Sequence, residues 1–435
     1  MSVIVDIAKE QIKNAVIQAA ENAMEKGELE KAYLTDFTIE VPANRDHGDY
    51  AVNCAMVWAR AFHKAPRMIA EAIIGNANFD GSYIKSAEIA GPGFINFFLK
   101  EDYYSDIVKD VIEKKGDYGK SDYGRGKRVL VEFVSANPTG PMHIGNARGG
   151  ALGDCLASVL EAAGYYTERE FYINDAGNQI NKFGLSLDLR YLQLYKEGIE
   201  MPEDSYHGED IINHAKAFAH IHGDSFVEKS EEERRKALVD FALPKNIEGL
   251  ERDLGKYRIT YDTWFKESTL HKNGETARII ELLKQSGHTY ETEGALWFKA
   301  TDFGCDKDFV LVRANGVPTY VVPDIAYHYN KLVTRGFDKA IDVLGADHHG
   351  YVPRLKGALT ALGVDADKLD VVLMQMVRLV RDGEVIKASK RSGKAITLVT
   401  LLDEVPIDAA RFFFNLREPN SHFDFDLDLA VNESN

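Results

Sequence analysis

Two short segments of the chain carry side chains that can act on a phosphate-bearing ligand. The first begins with the β-branched and aromatic run 128–135, continues through a turn rich in proline and glycine, and reaches His143-Ile144-Gly145-Asn146. Runs of this kind are typical of strands buried on both faces of a parallel sheet. The residues after the turn predict a helix that ends at Gly164. Free backbone N–H groups at such a helix start can bind phosphate, and His143 can donate to phosphate oxygens as charge develops.

Glu132 lies in the middle of the predicted strand. A carboxylate there is costly to bury unless it meets a cation or several hydrogen-bond donors. One interpretation is a glutamate at a strand end that reaches solvent. The sharper interpretation is a carboxylate that binds a positively charged substrate.

The second segment is the apolar run 369–377, which predicts another buried strand, followed by the basic loop Lys387-Ala388-Ser389-Lys390. Two lysines three residues apart, with small residues between them, can close over a triphosphate as point charges. A solvated basic loop is the alternative interpretation. The first segment favours the phosphate interpretation, because together the two segments would supply both sides of one nucleotide site.

Other features of the sequence exclude several classes of protein. Neither G-x-G-x-x-G nor G-x-x-x-x-G-K-[ST] occurs, which disfavours nicotinamide and P-loop enzymes. The net charge of −16 argues against non-specific binding to nucleic acid. The three cysteines form no C-x-x-C pair, so we expect neither disulfides nor a fixed metal site. The early charges of the N-terminal helix and the lack of a long apolar run predict a cytoplasmic protein with no membrane segment.

The order of patterns along the chain predicts an α/β protein. Residues 1–112 form a small α+β domain, which begins with a helix that stops at Gly27. Residues 113–400 alternate between strand-like and helix-like runs, and we interpret them as a Rossmann-like parallel-sheet catalytic domain. Charged helical stretches break that alternation at about 200–300 and suggest an insertion. Residues 401–435 form a short acidic third section.

The two segments together resemble the signatures of class I aminoacyl-tRNA synthetases. His143-Ile144-Gly145-Asn146 is similar to H-I-G-H, and Lys387-Ala388-Ser389-Lys390 is similar to K-M-S-K-S. Segments 131–141, 316–327 and 345–350 resemble arginyl-tRNA synthetases more specifically. Segment 91–97 is similar to the end of the N-terminal domain of that family, which meets the tRNA elbow. Asn146 and Ala388 depart from the signatures, but Asn146 can still donate hydrogen bonds.

The resemblance implies ATP-dependent ligation of L-arginine to tRNA(Arg) through an arginyl-adenylate, with release of AMP and pyrophosphate. Its implied residues fall into four groups. Arginine binding is implied for Glu132, Asn137, Tyr320 and Asp324. Catalysis is implied for His143, Asn146, Lys387 and Lys390. ATP binding is implied for those four and for Gly145, Asp347 and His348. Contacts to tRNA are implied for Phe94 and Asn96.

Several of these residues have a simpler explanation. Tyr320 could be a core aromatic, Asp324 the N-cap of a following helix, and Phe94 a core residue at a strand end. A class I synthetase for another amino acid is one rival function, although Glu132 and Asp324 argue against apolar substrates. A non-catalytic tRNA-binding relative is the other rival.

The resemblance also implies that Mg²⁺ arrives with ATP and that no protein metal site is fixed. We expect a monomer. We further expect residues 401–435 to be the truncated start of the helical stem-contact and anticodon-binding region, so that the anticodon-binding domain of the family is absent. The aromatic run Phe412-Phe413-Phe414, on a predicted helix over 408–416, would then expose at least one ring.

Overall fold

The computed structural model describes residues 3–386 and 397–431. The chain divides into two compact units, Met1–Ser121 and Asp122–Asn435. Each unit contains its own hydrophobic core.

The first unit is a small α+β domain, as predicted. Its sheet is antiparallel and has the order β1-β2-β4-β3. The first helix buries Ala8, Ile12, Val16 and Ala19, which follow the helical spacing of the sequence, and ends before Gly27 at φ +75°. The elements are α1 (Val3–Glu25), β1 (Ile39–Glu40), β2 (Tyr50–Val52), α2 (Cys54–Phe62), α3 (Pro66–Asn76), β3 (Ile84–Ala90), β4 (Phe94–Leu99) and α4 (Glu101–Lys114).

The second unit alternates strands and helices over most of its length. Its elements from residue 128 to residue 329 are β5 (Arg128–Phe133), α5 (Ala147–Ala162), β6 (Tyr166–Ile173), α6 (Asn178–Leu192), α7 (Glu209–His222), α8 (Glu231–Lys256), β7 (Thr263–Lys266), α9 (Glu267–Lys272), α10 (Glu275–Gln285), β8 (Thr289–Thr292), β9 (Ala295–Phe298), β10 (Phe309–Val312) and α11 (Val321–Tyr329). The remaining elements are β11 (Lys339–Gly345), α12 (Val352–Ala361), β12 (Leu369–Met374), β13 (Val377–Arg381), β14 (Glu384–Val385), α13 (Leu398–Glu404), α14 (Ile407–Asn415), β15 (Phe423–Asp426) and α15 (Leu427–Val431).

A five-stranded parallel sheet forms the centre of the second unit and confirms the predicted fold class. Its order is β12-β11-β5-β6-β7. The chain runs outward from β5 through β6 to β7, and the later strands β11 and β12 extend the sheet on the other side of β5. Ligands of open parallel sheets bind beyond the carboxyl ends of the strands, where the strand order reverses. Here that point lies between β5 and β11.

The stretch predicted as an insertion contains three different parts. Helices α6, α7 and α8 surround a core of their own that includes Phe183 and Phe218. Strand β7 then joins the parallel sheet by pairing with β6, and Trp264 stacks on Phe171 of β6 with ring centroids 4.5 Å apart. Strands β8, β9 and β10 form a separate antiparallel sheet. The edge of the main sheet therefore lies within the predicted insertion.

Helix α5 lies very close to the parallel sheet. A Cβ atom added at Gly153 would be 2.2 Å from Cγ of Phe133 on β5, and one at Gly150 would be 2.9 Å from Cδ1 of Ile259. Only glycine permits this approach. The glycines of α5 thus allow close packing against the sheet. The sequence suggested only their other role, which is to leave the start of the helix open.

The segment after residue 397 packs onto the core around the parallel sheet. Leu398, Phe414 and Phe425 belong to the same hydrophobic cluster as Val131 and Phe133. Within the aromatic run, Phe414 is buried, Phe413 is partly buried and Phe412 is exposed. The helix predicted over 408–416 is present as α14.

Candidate active site

The carboxyl ends of the parallel strands bring together segments that are far apart in the sequence. Asn137 follows β5, Asn174 follows β6, Glu267 follows β7 and Asp347 follows β11. Since all the strands run in the same direction, these segments lie along one edge of the sheet. This edge carries polar side chains that can bind a small, charged substrate.

A cavity of about 320 Å³ opens at this edge. Its polar and aromatic lining comes from Asn137, Asn174, Ala176, Asn178, Gln179, Glu267 and Tyr320. Asn137 and Tyr320 were predicted to bind the amino acid, and the structure brings them together here. Tyr320 is 67% exposed and is therefore not the core aromatic of the simpler explanation.

Glu267 is the one charged residue among the five lining residues that the sequence analysis missed. It is the first residue of α9, and its side chain is 11% exposed. The hydroxyl of Tyr172 donates to its carboxylate, and Nε2 of His271 lies 3.4 Å from Oε1. Burial raises the pKa of Glu267 above its usual value, although the hydrogen bonds from Tyr172 and His271 lower it. An acidic residue directly after a short aromatic strand, in Trp264-Phe265-Lys266-Glu267, was the only signal in the sequence.

Asp324 lies one helical turn after Tyr320 on α11. Its carboxylate accepts a hydrogen bond from the hydroxyl of Tyr351, and its side chain keeps about a third of its exposure. Helix α11 begins at Val321, with Pro323 in its first turn, rather than at Ile325 as the sequence suggested. Asp324 is thus inside the helix and is not its N-cap.

Glu132 faces the protein interior instead of the cavity. The residue is 6% exposed, its Oε2 lies 2.5 Å from Nζ of Lys331, and its Oε1 accepts from the hydroxyl of Ser135 at 2.8 Å. It is not among the residues that line the cavity. The cation that this buried carboxylate requires is therefore supplied by the protein itself.

The His143-Ile144-Gly145-Asn146 segment forms one 3₁₀ turn that leads into α5. Nδ1 of His143 accepts the backbone N–H of Gly145 at 3.0 Å, and the partly buried Asn146 is the N-cap residue of α5. His143 also forms an antiparallel β-bridge with Thr397. Lys387 and Lys390 lie outside the described residues.

Asp347 and His348 lie in a 3₁₀ turn immediately after β11. Both are exposed, and their nearest charged atoms are 3.9 Å apart. This turn lies at the same sheet edge as the His143 segment, because β11 and β5 are parallel neighbours. The position is accessible to a nucleotide bound at that edge.

The two residues predicted to contact tRNA are in the first unit, on strand β4. Phe94 is partly buried and pairs with Ala90 of β3, whereas Asn96 is 6% exposed. The burial of Asn96 leaves little of its side chain available to a ligand. Nowhere in residues 3–386 and 397–431 is a helix long and apolar enough to cross a membrane.

Comparison with known proteins identifies the class that this sheet and its edge define. Residues 107–424 match the family model described as the catalytic domain of class I (R) tRNA synthetases, and residues 7–99 match the arginyl-tRNA synthetase N-terminal domain. The second unit is thus a class I tRNA synthetase catalytic domain.

Whole-chain relatives narrow the class further. The arginine–tRNA ligase of Caldanaerobacter subterraneus is 56% identical over all of this chain and 77% of its own length. That of Acetivibrio thermocellus is 54% identical over all of this chain and 78% of its own. The solved arginyl-tRNA synthetase of Thermus thermophilus is 20% identical and shares the fold, with a TM-score of 0.67 over 96% of this chain and 78% of its own. The chain belongs to the arginyl-tRNA synthetase family.

Proposed function

We propose that the protein ligates L-arginine to tRNA(Arg) at the expense of ATP. The observation that carries the proposal is the cavity with Glu267 in its wall and Asp324 one helical turn from its Tyr320, at the sheet edge that also holds the His143 segment. Family membership supports the same reaction, since relatives at 54–56% identity are arginine–tRNA ligases.

The amino-acid side chain is selected by charge and shape. A guanidinium is a planar fork of five donors, which two carboxylates and a hydroxyl can match in a way that the point charge of a lysine cannot. In our proposal Glu267 and Asp324 accept from the guanidinium, and the exposed Tyr320 closes the mouth of the cavity. Asn137, on the turn after β5, binds the amino-acid backbone.

The reaction proceeds in two steps. The carboxylate oxygen of arginine attacks the α-phosphorus of ATP, and the bond to the bridging oxygen breaks to release pyrophosphate. A ribose hydroxyl of tRNA then attacks the carbonyl carbon of arginyl-adenylate, and AMP leaves. Neither step needs a covalent bond to the protein, so the protein contributes positioning and charge stabilisation.

The phosphate contacts are proposed from the signatures. His143, Gly145 and Asn146 bind ATP at the start of α5, and Asp347 and His348 contact the nucleotide from the turn after β11. Lys387 and Lys390 stabilise the charge that develops on the phosphates. Mg²⁺ enters with ATP as part of the substrate. Phe94 and Asn96 remain predictions for tRNA contact.

Three broader predictions belong to the same proposal. The domain boundaries at 112/113 and 400/401, the cytoplasmic location and the monomeric state stay predictions.

A pyrophosphate-exchange assay with each of the twenty amino acids, with and without tRNA, tests the proposal. Among the twenty amino acids, we expect only arginine to support exchange. We also expect labelled arginine to be transferred to tRNA(Arg) and to no other tRNA. Exchange with another amino acid would show that this amino acid, and not arginine, is the substrate. No exchange and no charging with any amino acid would favour a non-catalytic tRNA-binding protein. His143→Ala serves as the inactive control, because it removes a proposed phosphate contact without touching the amino-acid cavity.

A further inference from the structure

A fully buried lysine lies behind the cavity. Nζ of Lys331, in the π-helical turn that follows α11, is 2.5 Å from Oε2 of Glu132 and 2.9 Å from Oδ1 of Asp342. It also lies 4.1 Å from the ring centroid of Tyr327. Burial alone would lower the pKa of Lys331, but Asp342 and Glu132 raise it above its usual value. The ammonium is therefore charged and links β5 to β11.

From Lys331 the hydrogen bonds continue towards helix α11. Oδ2 of Asp342 lies 2.6 Å from Nε2 of His328, and Nδ1 of His328 lies 2.8 Å from the backbone oxygen of Asp324. In the proposed function, Asp324 is one of the two carboxylates that accept hydrogen bonds from the guanidinium. Asp342 and His328 thus fix the helix turn from which Asp324 projects.

In the other direction the hydrogen bonds reach the turn after β5. The hydroxyl of Ser135 donates to Glu132 at 2.8 Å and accepts the backbone N–H of Tyr172 at 3.1 Å. Val134 and Ser135 have φ values of +71° and +42°, a region that residues other than glycine rarely adopt. Asn137 of the cavity follows two residues later, and Tyr172 donates to Glu267.

We propose that Lys331 is a positioning residue for the arginine subsite. Its ammonium holds the two sides of the cavity at a fixed separation: α11 with Tyr320 and Asp324 on one side, and the turn with Asn137 on the other. The inference rests on the proposed function, because it assumes that arginine binds in this cavity. Glu132 contributes to this arrangement through its contacts with Lys331 and Ser135, and a direct contact of Glu132 with arginine stays a prediction.

A bound metal ion is the competing explanation of the same cluster. Glu132, His328 and Asp342 offer ligand atoms that all lie within 4.8 Å of one another. Lys331 Nζ, however, already contacts two of these three groups, as the distances above show. The cluster therefore contains its own cation, and a metal would have to displace it.

A purely structural role and a positioning role predict different results. Replacing a whole buried ionic cluster by neutral groups of similar size often leaves stability unchanged, whereas removing one partner leaves an uncompensated charge. If the role of Lys331 is purely structural, removing all the charges together restores both stability and arginine affinity. If Lys331 positions the subsite, arginine affinity stays low in the stable combined variant, because a displacement of about 1 Å in a binding site can cost on the order of 100-fold.

The test compares single and combined variants. Lys331→Met removes the cation alone, and Lys331→Met with Glu132→Gln and Asp342→Asn removes the charges together. Urea unfolding measures stability, and pyrophosphate exchange and calorimetry measure arginine and ATP binding. The control pair is Arg234→Met with Asp188→Asn, which removes a buried ion pair between α8 and α6 that is not part of the Lys331 cluster.

We expect the combined variant to fold, to lose about ten- to a hundredfold in arginine affinity and to keep its ATP KM within about twofold. The control pair keeps its arginine affinity. A stable combined variant with wild-type arginine affinity would overturn the proposal. So would a cluster that holds a stoichiometric metal ion in the purified wild-type protein.

If the combined variant does not fold, Asp342→Asn alone gives the answer, since it keeps the shape of the side chain and the Lys331–Glu132 pair. A smaller rise in the arginine KM, with the ATP KM unchanged, supports the proposal, and an unchanged arginine KM contradicts it. Failure of the proposed function has a separate signature, because the wild-type protein itself would then neither bind nor activate arginine.

Discussion

Replacing Glu267 by glutamine is the most direct test of the amino-acid subsite. The change keeps the shape of the side chain and an oxygen that can accept the hydroxyl of Tyr172, but it removes the negative charge. A hydrogen bond to a charged group contributes about 1.5–3 kcal/mol, which corresponds to roughly ten- to 150-fold in affinity. Because the side chain is only 11% exposed, solvent screens this charge little, and we expect a loss in that range.

The assay is pyrophosphate exchange with arginine and ATP varied separately. We expect Glu267→Gln to raise the arginine KM about ten- to 150-fold, while the ATP KM changes less than about twofold. Glu291→Gln, an exposed carboxylate on β8, is the matched control and should change neither. An unchanged arginine KM in a folded Glu267→Gln protein would show that the guanidinium binds elsewhere.

Three further predictions follow from other parts of the second unit. Burial raises the pKa of Glu267, and only the charged form binds the guanidinium. On acidification the arginine KM should therefore begin to rise at a higher pH than it would with an ordinary glutamate. A pH profile of the wild-type protein as flat as that of Glu267→Gln would contradict this. Lys390→Ala, a variant chosen from the sequence alone, should slow adenylation and leave the arginine KM nearly unchanged, because Lys390 is proposed to contact the charge that develops on the phosphates during transfer. An unaltered exchange rate would mean that the basic loop is only solvated. Gly153→Ala should destabilise the protein by about 1–3 kcal/mol in urea unfolding, because its Cβ would meet Phe133. The control Gly255→Ala on α8, where the space is open, should be neutral or stabilising. Equal effects of the two variants would refute the packing argument.

The fold was largely predictable because its signals are periodic. The parallel strands β5 and β12 are mostly apolar runs, interrupted by Glu132 and Asp370, and the helices repeat apolar residues every three or four positions. The short strand β7 escaped prediction for the opposite reason. Its four residues carry no period, and aromatic stacking on Phe171 of β6 determines its place in the sheet.

The sequence predicts residues of the candidate site only where a local motif marks them. The His143 segment and the pair Tyr320 and Asp324 could be identified from the resemblance, whereas Glu267 lies at a junction with no motif. Glu132 shows a different limit. Its position in a buried strand correctly indicated that a cation was needed, but Lys331 lies 199 residues further along the chain, and no pattern links the two.

The pairing of β5 with β11 has a consequence for how the protein folds. Val129 lies opposite Lys339, a separation of 339 − 129 = 210 residues. Such distant pairings form slowly, because a long stretch of chain must be ordered first. During synthesis at about 5–20 residues per second, β11 would leave the ribosome roughly 10–40 s after β5. Helices α6, α7 and α8 can meanwhile collapse around their own core, while the apolar strand β5 lacks its neighbour β11. The middle of the sheet therefore closes only after β11 has emerged, and until then the edge of β5 is open to aggregation.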